Sequence, residues 1–400
     1  MNARERVLKT LDLEEPDRVP YQEWLIKNPN TAQRLGFVRG AGGVKFKPEE
    51  LMAFLGKIRG LPKFINNLLP KLTAKPKMFK PIIKFTMKEI FRFYIHIGVD
   101  LTMCAIGPTQ WFRWVPPNYV INEFGMIFEV KNIEGVLDAY YLGGIIKNEQ
   151  IYKNLPKMNP EQPLGIQLYK SLSKGIKNDE IVIAPAFTNG FFDSTYMGMG
   201  IEAFSRALVK NPSFIRRIVS DKEKAYINLI KIVLDETGSD VFFIGDDLAY
   251  NSGPFVSPRN FKKFFLPSYQ RVSKVIRKRG AKFLFHTDGD IKPFLNLEGF
   301  IDCFDSIHPW QVSANMDIFE AKEKYGDKIC IMGNVPVQML VHKTPEIISE
   351  YVKKLLKFCA PGGGYMMSSG NSIVTEIPAD NYLAMLLTYR KYRDYPINIP

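Results

Sequence analysis

Residues that could perform acid–base or metal chemistry stand where short apolar runs end. Asp246 and Asp247 follow one run, and His286 and Asp288 close another. On a strand, residues two apart project to the same side, so His286 and Asp288 can share one site. Imidazole and carboxylate groups bind zinc and also act as acids and bases. We predict a metal site of His286, Asp288 and Asp247, with His286 and Asp247 as catalytic groups; a hydrogen-bonded pair without metal is the alternative.

Two adjacent acids on a strand point in opposite directions, so only one of Asp246 and Asp247 can face such a site. We assign Asp247 to the site. The other carboxylate is expected to cap a helix or to bond to a loop.

Other strand-end residues are weaker candidates for binding substrate, and we assign Asn371 to this group. Asn189 and Asn334 could fix substrate oxygens, although asparagine often only bonds within turns. His308 is either a site residue or a structural one, and Trp111 could wall an aromatic substrate or pack within its loop.

Six short apolar runs, each polar or Gly-rich at its C-terminal end, must position these residues. Helix-length segments separate most of them, which is typical of an α/β protein with a parallel sheet. A (β/α)8 TIM-type barrel collects polar residues from many strand ends, whereas an open doubly wound sheet collects them at one switch point. Because nearly every strand end contributes, we predict the barrel. Dinucleotide and P-loop motifs do not occur in the sequence.

The composition narrows the function classes. The net charge of +13 is concentrated between Lys57 and Arg92, where ten basic residues stand against one acid. We interpret residues 44–95 as a basic N-terminal helical insertion within a single domain over residues 1–400. This insertion could be a lid, a docking surface, a membrane-surface helix or only a packed, solvated segment. With no nucleic-acid motif, transmembrane run or signal peptide, we expect a cytoplasmic protein that does not bind nucleic acid.

Four cysteines lie far apart within apolar patterns, without a Cys-x-x-Cys spacing. We interpret them as reduced core thiols.

Several motifs, in order, resemble the uroporphyrinogen decarboxylase superfamily. They are Arg4-Glu-Arg-Val-Leu-Lys, Glu15-Pro-Asp-Arg-Val-Pro, Asp246-Asp247-Leu-Ala with Gly253-Pro-Phe-Val-Ser-Pro, Met332-Gly-Asn-Val, and Gly362-Gly-Gly-Tyr with Asn371-Ser-Ile and Pro378-Ala-Asp-Asn-Tyr. The resemblance implies a (β/α)8 barrel, commonly a homodimer. It also implies one of two activities: decarboxylation of an acidic porphyrinogen without a cofactor, or zinc-dependent methyl transfer involving a cobamide on a separate protein.

Departures from the family pattern separate these branches. Decarboxylases carry an arginine clamp after the Pro-Asp-Arg-x-Pro box, but this chain has Tyr21-Gln-Glu-Trp with the acid Glu23, which we assign to substrate binding. Tyr196 matches the decarboxylases' active-site tyrosine. Thiol-methylating relatives have a His-x-Cys and a second Cys, where this chain has His286, Asp288 and Asn371. Oxygen ligands make zinc a harder Lewis acid, better suited to an ether oxygen than to a thiol.

We therefore expect a methyltransferase or demethylase acting between a small-molecule donor, such as an O-methyl compound, and a cobamide on a corrinoid protein. The basic insertion is a candidate dock for that partner. The alternatives are a decarboxylase of the uroporphyrinogen decarboxylase type using Tyr196 and Asp247, and a non-catalytic ligand-binding barrel.

Overall fold

The computed structural model describes residues 1–36, 80–107, 111–133, 136–155, 164–176 and 179–400. The strands are β1 (Leu101–Ala105), β2 (Trp111–Val115), β3 (Tyr119–Asn122), β4 (Met126–Ile133), β5 (Val136–Gly144), β6 (Val182–Phe187), β7 (Val241–Gly245), β8 (Ala249–Tyr250), β9 (Gly253–Pro254), β10 (Lys282–His286), β11 (Ser306–His308), β12 (Cys330–Met332) and β13 (Tyr365–Met366). The α-helices are α1 (Ala3–Leu11), α2 (Pro29–Arg34), α3 (Lys80–His96), α4 (Glu149–Lys153), α5 (Leu164–Ser173), α6 (Asp193–Met199), α7 (Ile201–Lys210), α8 (Pro212–Thr237), α9 (Pro258–Phe264), α10 (Leu266–Arg277), α11 (Lys292–Leu295), α12 (Ile318–Tyr325), α13 (Val337–His342), α14 (Pro345–Cys359) and α15 (Ala379–Tyr392).

Seven strands form one parallel sheet in the order β1-β6-β7-β10-β11-β12-β13. A short extended segment, residues 20–23, lies between its two edges and pairs in parallel with both, through Tyr21 and Met367 on one side and Gln22 and Leu101 on the other. The Gln22 N–H donates to the Met367 carbonyl at 2.9 Å, and the Leu101 N–H donates to the Tyr21 carbonyl at 3.2 Å. This eighth extended segment closes the sheet, so the predicted (β/α)8 barrel is confirmed.

Side chains alternate between the barrel interior and the surrounding helices. In β7, Val241 and Phe243 belong to the interior cluster, whereas Phe242 and Ile244 pack in the outer core. In β10, Leu284 likewise faces inward. This period of two decides which strand-end residues reach the barrel mouth.

The N-terminal end of the barrel is covered by α1. Its residues Val7 and Leu11 pack with the inward-facing strand residues, and both are buried. The helix begins with a capping box, in which Asn2 accepts from the Glu5 N–H and the Glu5 carboxylate accepts from the Asn2 N–H. The opposite, C-terminal end of the barrel is therefore the end that can take a ligand.

Local sequence explains where the longest helix begins and ends. Asn211 caps α8, its side chain accepting from the Phe214 N–H, and Pro212 occupies the first turn. Gly238, at a φ of 63°, ends the helix in the left-handed conformation. This helix packs against the strands with one apolar face and carries the buried Lys222.

A four-stranded antiparallel sheet, β2-β3-β4-β5, stands outside the barrel. Its strands β3 and β4 form a hairpin, with Gly125 between them at a φ of 78°. Helix α3 is formed by the C-terminal part of the predicted basic insertion. Residues 44–79 of that insertion lie outside the described residues.

The four cysteines are free and buried, as predicted. Within the described ranges, we find no helix with the length and apolar content needed to cross a bilayer.

Candidate active site

Three side chains converge at the C-terminal end of the barrel: Asp247, His286 and Asp288. One potential ligand atom from each lies within 4.8 Å of the others. The His286 Nε2 atom is 3.8 Å from an oxygen of Asp247 and 3.8 Å from an oxygen of Asp288. These separations exceed a hydrogen bond and leave room for an ion between the three atoms. The structure thus brings together the predicted triad.

The strand alternation explains which of the two adjacent acids enters this cluster. Asp247 continues the inward set of β7, whereas Asp246 turns outward. Asp246 accepts from the backbone N–H groups of Phe192 at 2.8 Å and Asp193 at 2.6 Å, and from the Tyr269 hydroxyl. Asp246 therefore binds the start of α6, as expected for the acid that does not face the site.

A second histidine orients His286. The register of β10 and β11 places His286 directly beside His308, and their Nδ1 atoms are 2.8 Å apart. The His308 Nε2 atom lies 3.1 Å from the Ser369 carbonyl oxygen, to which it can only donate. Burial and the neighbouring His286 lower the pKa of His308 well below its usual value, so His308 is neutral.

This network assigns the proton between the two rings. Neutral His308 carries its proton on Nε2 and accepts at Nδ1, so His286 donates from Nδ1. The Nε2 atom of His286 is then the ring nitrogen that faces Asp247 and Asp288. A ligating histidine is held in this way when its other nitrogen donates to a fixed acceptor.

Asn371 orients the second carboxylate. Its amide Nδ2 donates to Asp288 Oδ2 at 2.9 Å, while Asp288 Oδ1 is buried and has no hydrogen-bond partner in the described chain. Burial raises the pKa of Asp288 to about 6. The Asp288 backbone N–H also donates to Asp247 Oδ1 at 3.1 Å, which links the two acids. A buried carboxylate oxygen without a donor is the feature that a bound cation would satisfy.

Trp24 was not among the residues predicted for the site. Its ring stacks on His286 with centroids 4.6 Å apart and lies against Phe243 at 4.8 Å. It follows the closing segment at residues 20–23, on the inward side, and covers the imidazole from above. The alternation along that segment is the sequence signal that could have identified it.

The side chain of Glu23 points away from the barrel interior, opposite to that of Trp24. Its carboxylate is fully buried and accepts from the hydroxyls of Tyr21, Tyr382 and Ser369, at 2.6, 3.0 and 2.5 Å, and from the Trp24 N–H at 3.0 Å. Burial raises its pKa. These donors tie the end of the closing segment to the loop after β13. Its predicted contact with substrate stays a prediction.

Tyr196 and Asn189 lie on the side of β6 and α6. Tyr196 is half-buried and stacks on Phe255 with centroids 5.1 Å apart. Burial, followed by the charges of Asp193 and Asp247, raises its pKa. Asn189 donates to Asp193 at 3.2 Å. A catalytic role for Tyr196 stays a prediction.

Asn334 is occupied by protein groups: it donates to the Trp310 carbonyl at 2.6 Å and accepts from Tyr351 at 3.0 Å. Trp111 begins β2, and its side chain is outside the described part of the chain. The predicted substrate contacts of these two residues are untested.

A sequence model of the uroporphyrinogen decarboxylase (URO-D) family matches residues 145–392. The chain belongs to this family. The uroporphyrinogen decarboxylase of Pseudoalteromonas atlantica is 24% identical over 257 residues, which are 60% of this chain and 67% of that protein. The uroporphyrinogen decarboxylase of Pseudoalteromonas translucida is 24% identical over 246 residues, or 57% and 64% of the two chains.

Among solved structures, a methyltransferase from Methanosarcina mazei has a TM-score of 0.60 and 16% identity, covering 98% of this chain and 99% of that one. This likeness shows a shared fold over nearly the whole chain. The curated relatives are matched over about two thirds of their own length. Membership of the uroporphyrinogen decarboxylase family, inferred from the sequence motifs, is thus confirmed.

Proposed function

We propose that this protein is a methyltransferase that moves a methyl group from a small-molecule donor, such as an O-methyl compound, to a cobamide on a separate corrinoid protein. The observation that carries the proposal is the orientation of His286. Its Nε2 atom faces two carboxylates, and a buried oxygen of Asp288 has no donor. This arrangement fits a cation site better than an isolated ion pair.

Asp247, His286 and Asp288 would hold zinc, leaving a further position open, as in catalytic zinc sites. When bound, zinc would polarise the heteroatom that carries the methyl group. The protein's own groups prepare the site: His308 fixes the tautomer of His286, and Asn371 holds the Asp288 carboxylate. Trp24 covers the imidazole and limits the access of water to it.

Decarboxylation of a porphyrinogen is the second candidate, because the matched relatives carry that name. The match of Tyr196 to the active-site tyrosine of the decarboxylases is compatible with it. However, an acidic porphyrinogen needs cations to bind its carboxylates. The cavity beside the triad is lined by no lysine, arginine or histidine among the described residues.

The proposal is tested with the purified chain, zinc, a reduced corrinoid protein and a panel of methyl donors. We expect about one equivalent of bound zinc and the absorption change that accompanies methylation of the cobamide. His286→Ala should abolish both, whereas His342→Ala, at an exposed position on α13, should change neither. Zinc-free protein that decarboxylates a porphyrinogen would contradict the proposal and support the second candidate. Absence of any spectral change across the panel would also count against it.

A further inference from the structure

A cavity of about 400 Å³ opens beside Asp288 at the barrel mouth. It lies among the loops that follow β10, β11, β12 and β13. Its lining residues are Asp288, Gln311, Val312, Ser313, Asn334, Pro336, Val337, Gln338, Gly370, Asn371, Ser372 and Val374. The cavity therefore borders the triad on one side and is the space in which the body of a donor can lie.

Its charge restricts what can enter. Asp288 is the one ionisable residue in the lining given above, and its carboxyl group lies at the end of the cavity that borders the triad. An acidic molecule would lose water without gaining a basic side chain of the lining as a partner. A cationic molecule would gain little, because a divalent ion at the triad neutralises the charges of Asp247 and Asp288. Both electrostatic terms favour an uncharged molecule.

Three of the four amides of the lining, those of Gln311, Asn334 and Asn371, are bonded within the protein, and the fourth, Gln338, is exposed. Gln311 accepts from the Gly289 N–H at 2.7 Å and donates to Asn251 at 3.1 Å. Asn371 donates to Asp288 and accepts from the Ser372 N–H at 2.7 Å. These side chains shape the loops more than they offer bonds to a ligand.

What remains for contact is mainly apolar. Val312, Val337, Val374 and Pro336 supply aliphatic surface, and Ser313 and Ser372 contribute hydroxyls. A ligand that fills this space gains burial of apolar area, with few directional contacts.

The volume indicates the size of ligand that fits. Benzene fills an apolar cavity of about 150 Å³. The cavity beside Asp288, at about 400 Å³, has ample room for one substituted ring.

We infer that the methyl donor is a small, uncharged, largely apolar molecule of about the size of a substituted benzene ring. Its methyl-bearing heteroatom lies at the Asp288 end, and its ring lies between Val312 and Val374. The inference rests on the proposed function, because it names the substrate class of the same site.

The test measures equilibrium binding of three matched compounds to the full chain, with and without added zinc. The compounds are para-methoxybenzyl alcohol, para-methoxybenzoate and para-methoxybenzylamine, which are neutral, anionic and cationic. We expect the alcohol to bind about tenfold more tightly than either ion, given the cost of desolvating a charge without a partner. Equal or tighter binding of either ion, or binding of none of the three, would overturn the inference.

A matched pair of variants locates the compounds. Val312 lines the cavity and is 42% exposed, so Val312→Lys adds a cation with little cost to folding. It should raise the affinity for the benzoate about fivefold, as a partly exposed ion pair would, whereas Val312→Met should not. An unchanged benzoate affinity in a folded Val312→Lys protein would show that the ligand lies elsewhere and would also overturn the inference.

Methyl transfer to the corrinoid protein is measured separately with the same compounds. Tight binding of the alcohol without transfer would leave the cavity's preference standing and refute the proposed function. Transfer from the benzoate in preference to the alcohol would refute the preference and leave the function standing.

Discussion

Replacing His308 by phenylalanine separates the metal-site role of His286 from a merely structural one. His308 is 1% exposed, so the ring volume must be kept to avoid a cavity. Phenylalanine retains the ring but removes the acceptor for His286 Nδ1 and the donor to the Ser369 carbonyl.

Two effects of different kind follow from this substitution. Each buried group left without its partner costs about 1–3 kcal/mol, so the free energy of unfolding should fall by about 2–6 kcal/mol. Without its acceptor, His286 can move its proton to Nε2, the atom that faces Asp247 and Asp288. Loss of such an orienting partner lowers metal affinity about 10- to 100-fold, or about 1.4–2.8 kcal/mol.

Zinc affinity is measured by competition with a chelator, and the free energy of unfolding by urea denaturation of the metal-free protein. His342→Phe is the matched control, because it changes the same residue type at an exposed position and should alter neither quantity. If His308→Phe lowered stability but bound zinc as tightly as the wild type, His286 would not ligate through Nε2. The assignment of the triad would then be wrong.

Four further substitutions test other charged groups. Asp246→Asn should destabilise the fold by about 2–4 kcal/mol, because the amide cannot accept at both oxygens from Phe192 and Asp193. Asp247→Asn changes a side chain that is 49% exposed, so it should change the free energy of unfolding by less than about 0.5 kcal/mol but weaken zinc binding. Equal unfolding midpoints for Asp246→Asn and Asp247→Asn would refute the assignment of Asp246 to the fold and of Asp247 to the site. Asp288→Cys should tighten zinc binding because zinc prefers thiolate to carboxylate, and weaker binding would argue against Asp288 as a ligand. Burial lowers the pKa of Lys222 to about 7, so the unfolded chain binds more protons than the folded one between about pH 7 and pH 10. The free energy of unfolding of the wild type should therefore rise with pH across this window relative to that of Lys222→Met, by at most about 1.4 kcal/mol per pH unit. The control Lys224→Met changes an exposed lysine and should keep the wild-type slope. Parallel pH profiles for the wild type and Lys222→Met would contradict the pKa shift.

The sequence by itself determined the barrel and the core of the candidate site. The apolar runs that became β6, β7 and β10 to β13 are buried on both sides, and such strands are visible from composition alone. Because alternation along a strand is local, the spacing of His286 and Asp288 predicted their common direction. The same alternation predicted that Asp246 and Asp247 would separate.

The tertiary structure alone decided how the barrel closes and how its site is held. The closing segment at residues 20–23 is short and contains Pro20, Gln22 and Glu23, so its sequence resembles a loop. It becomes a strand because two edges separated by more than 260 residues, at Leu101 and Met367, offer it backbone partners. That pairing also turns Trp24 inward and Glu23 outward.

The proton positions at the triad likewise depend on contacts between distant parts of the chain. His308 lies 22 residues from His286, and its own acceptor, Ser369, lies 61 residues further along. Such partners are chosen by strand register and loop packing, which depend on the whole folded chain. Residue types at strand ends therefore indicated which groups could do chemistry, whereas hydrogen bonds across the barrel mouth decided which atom of His286 is available for it.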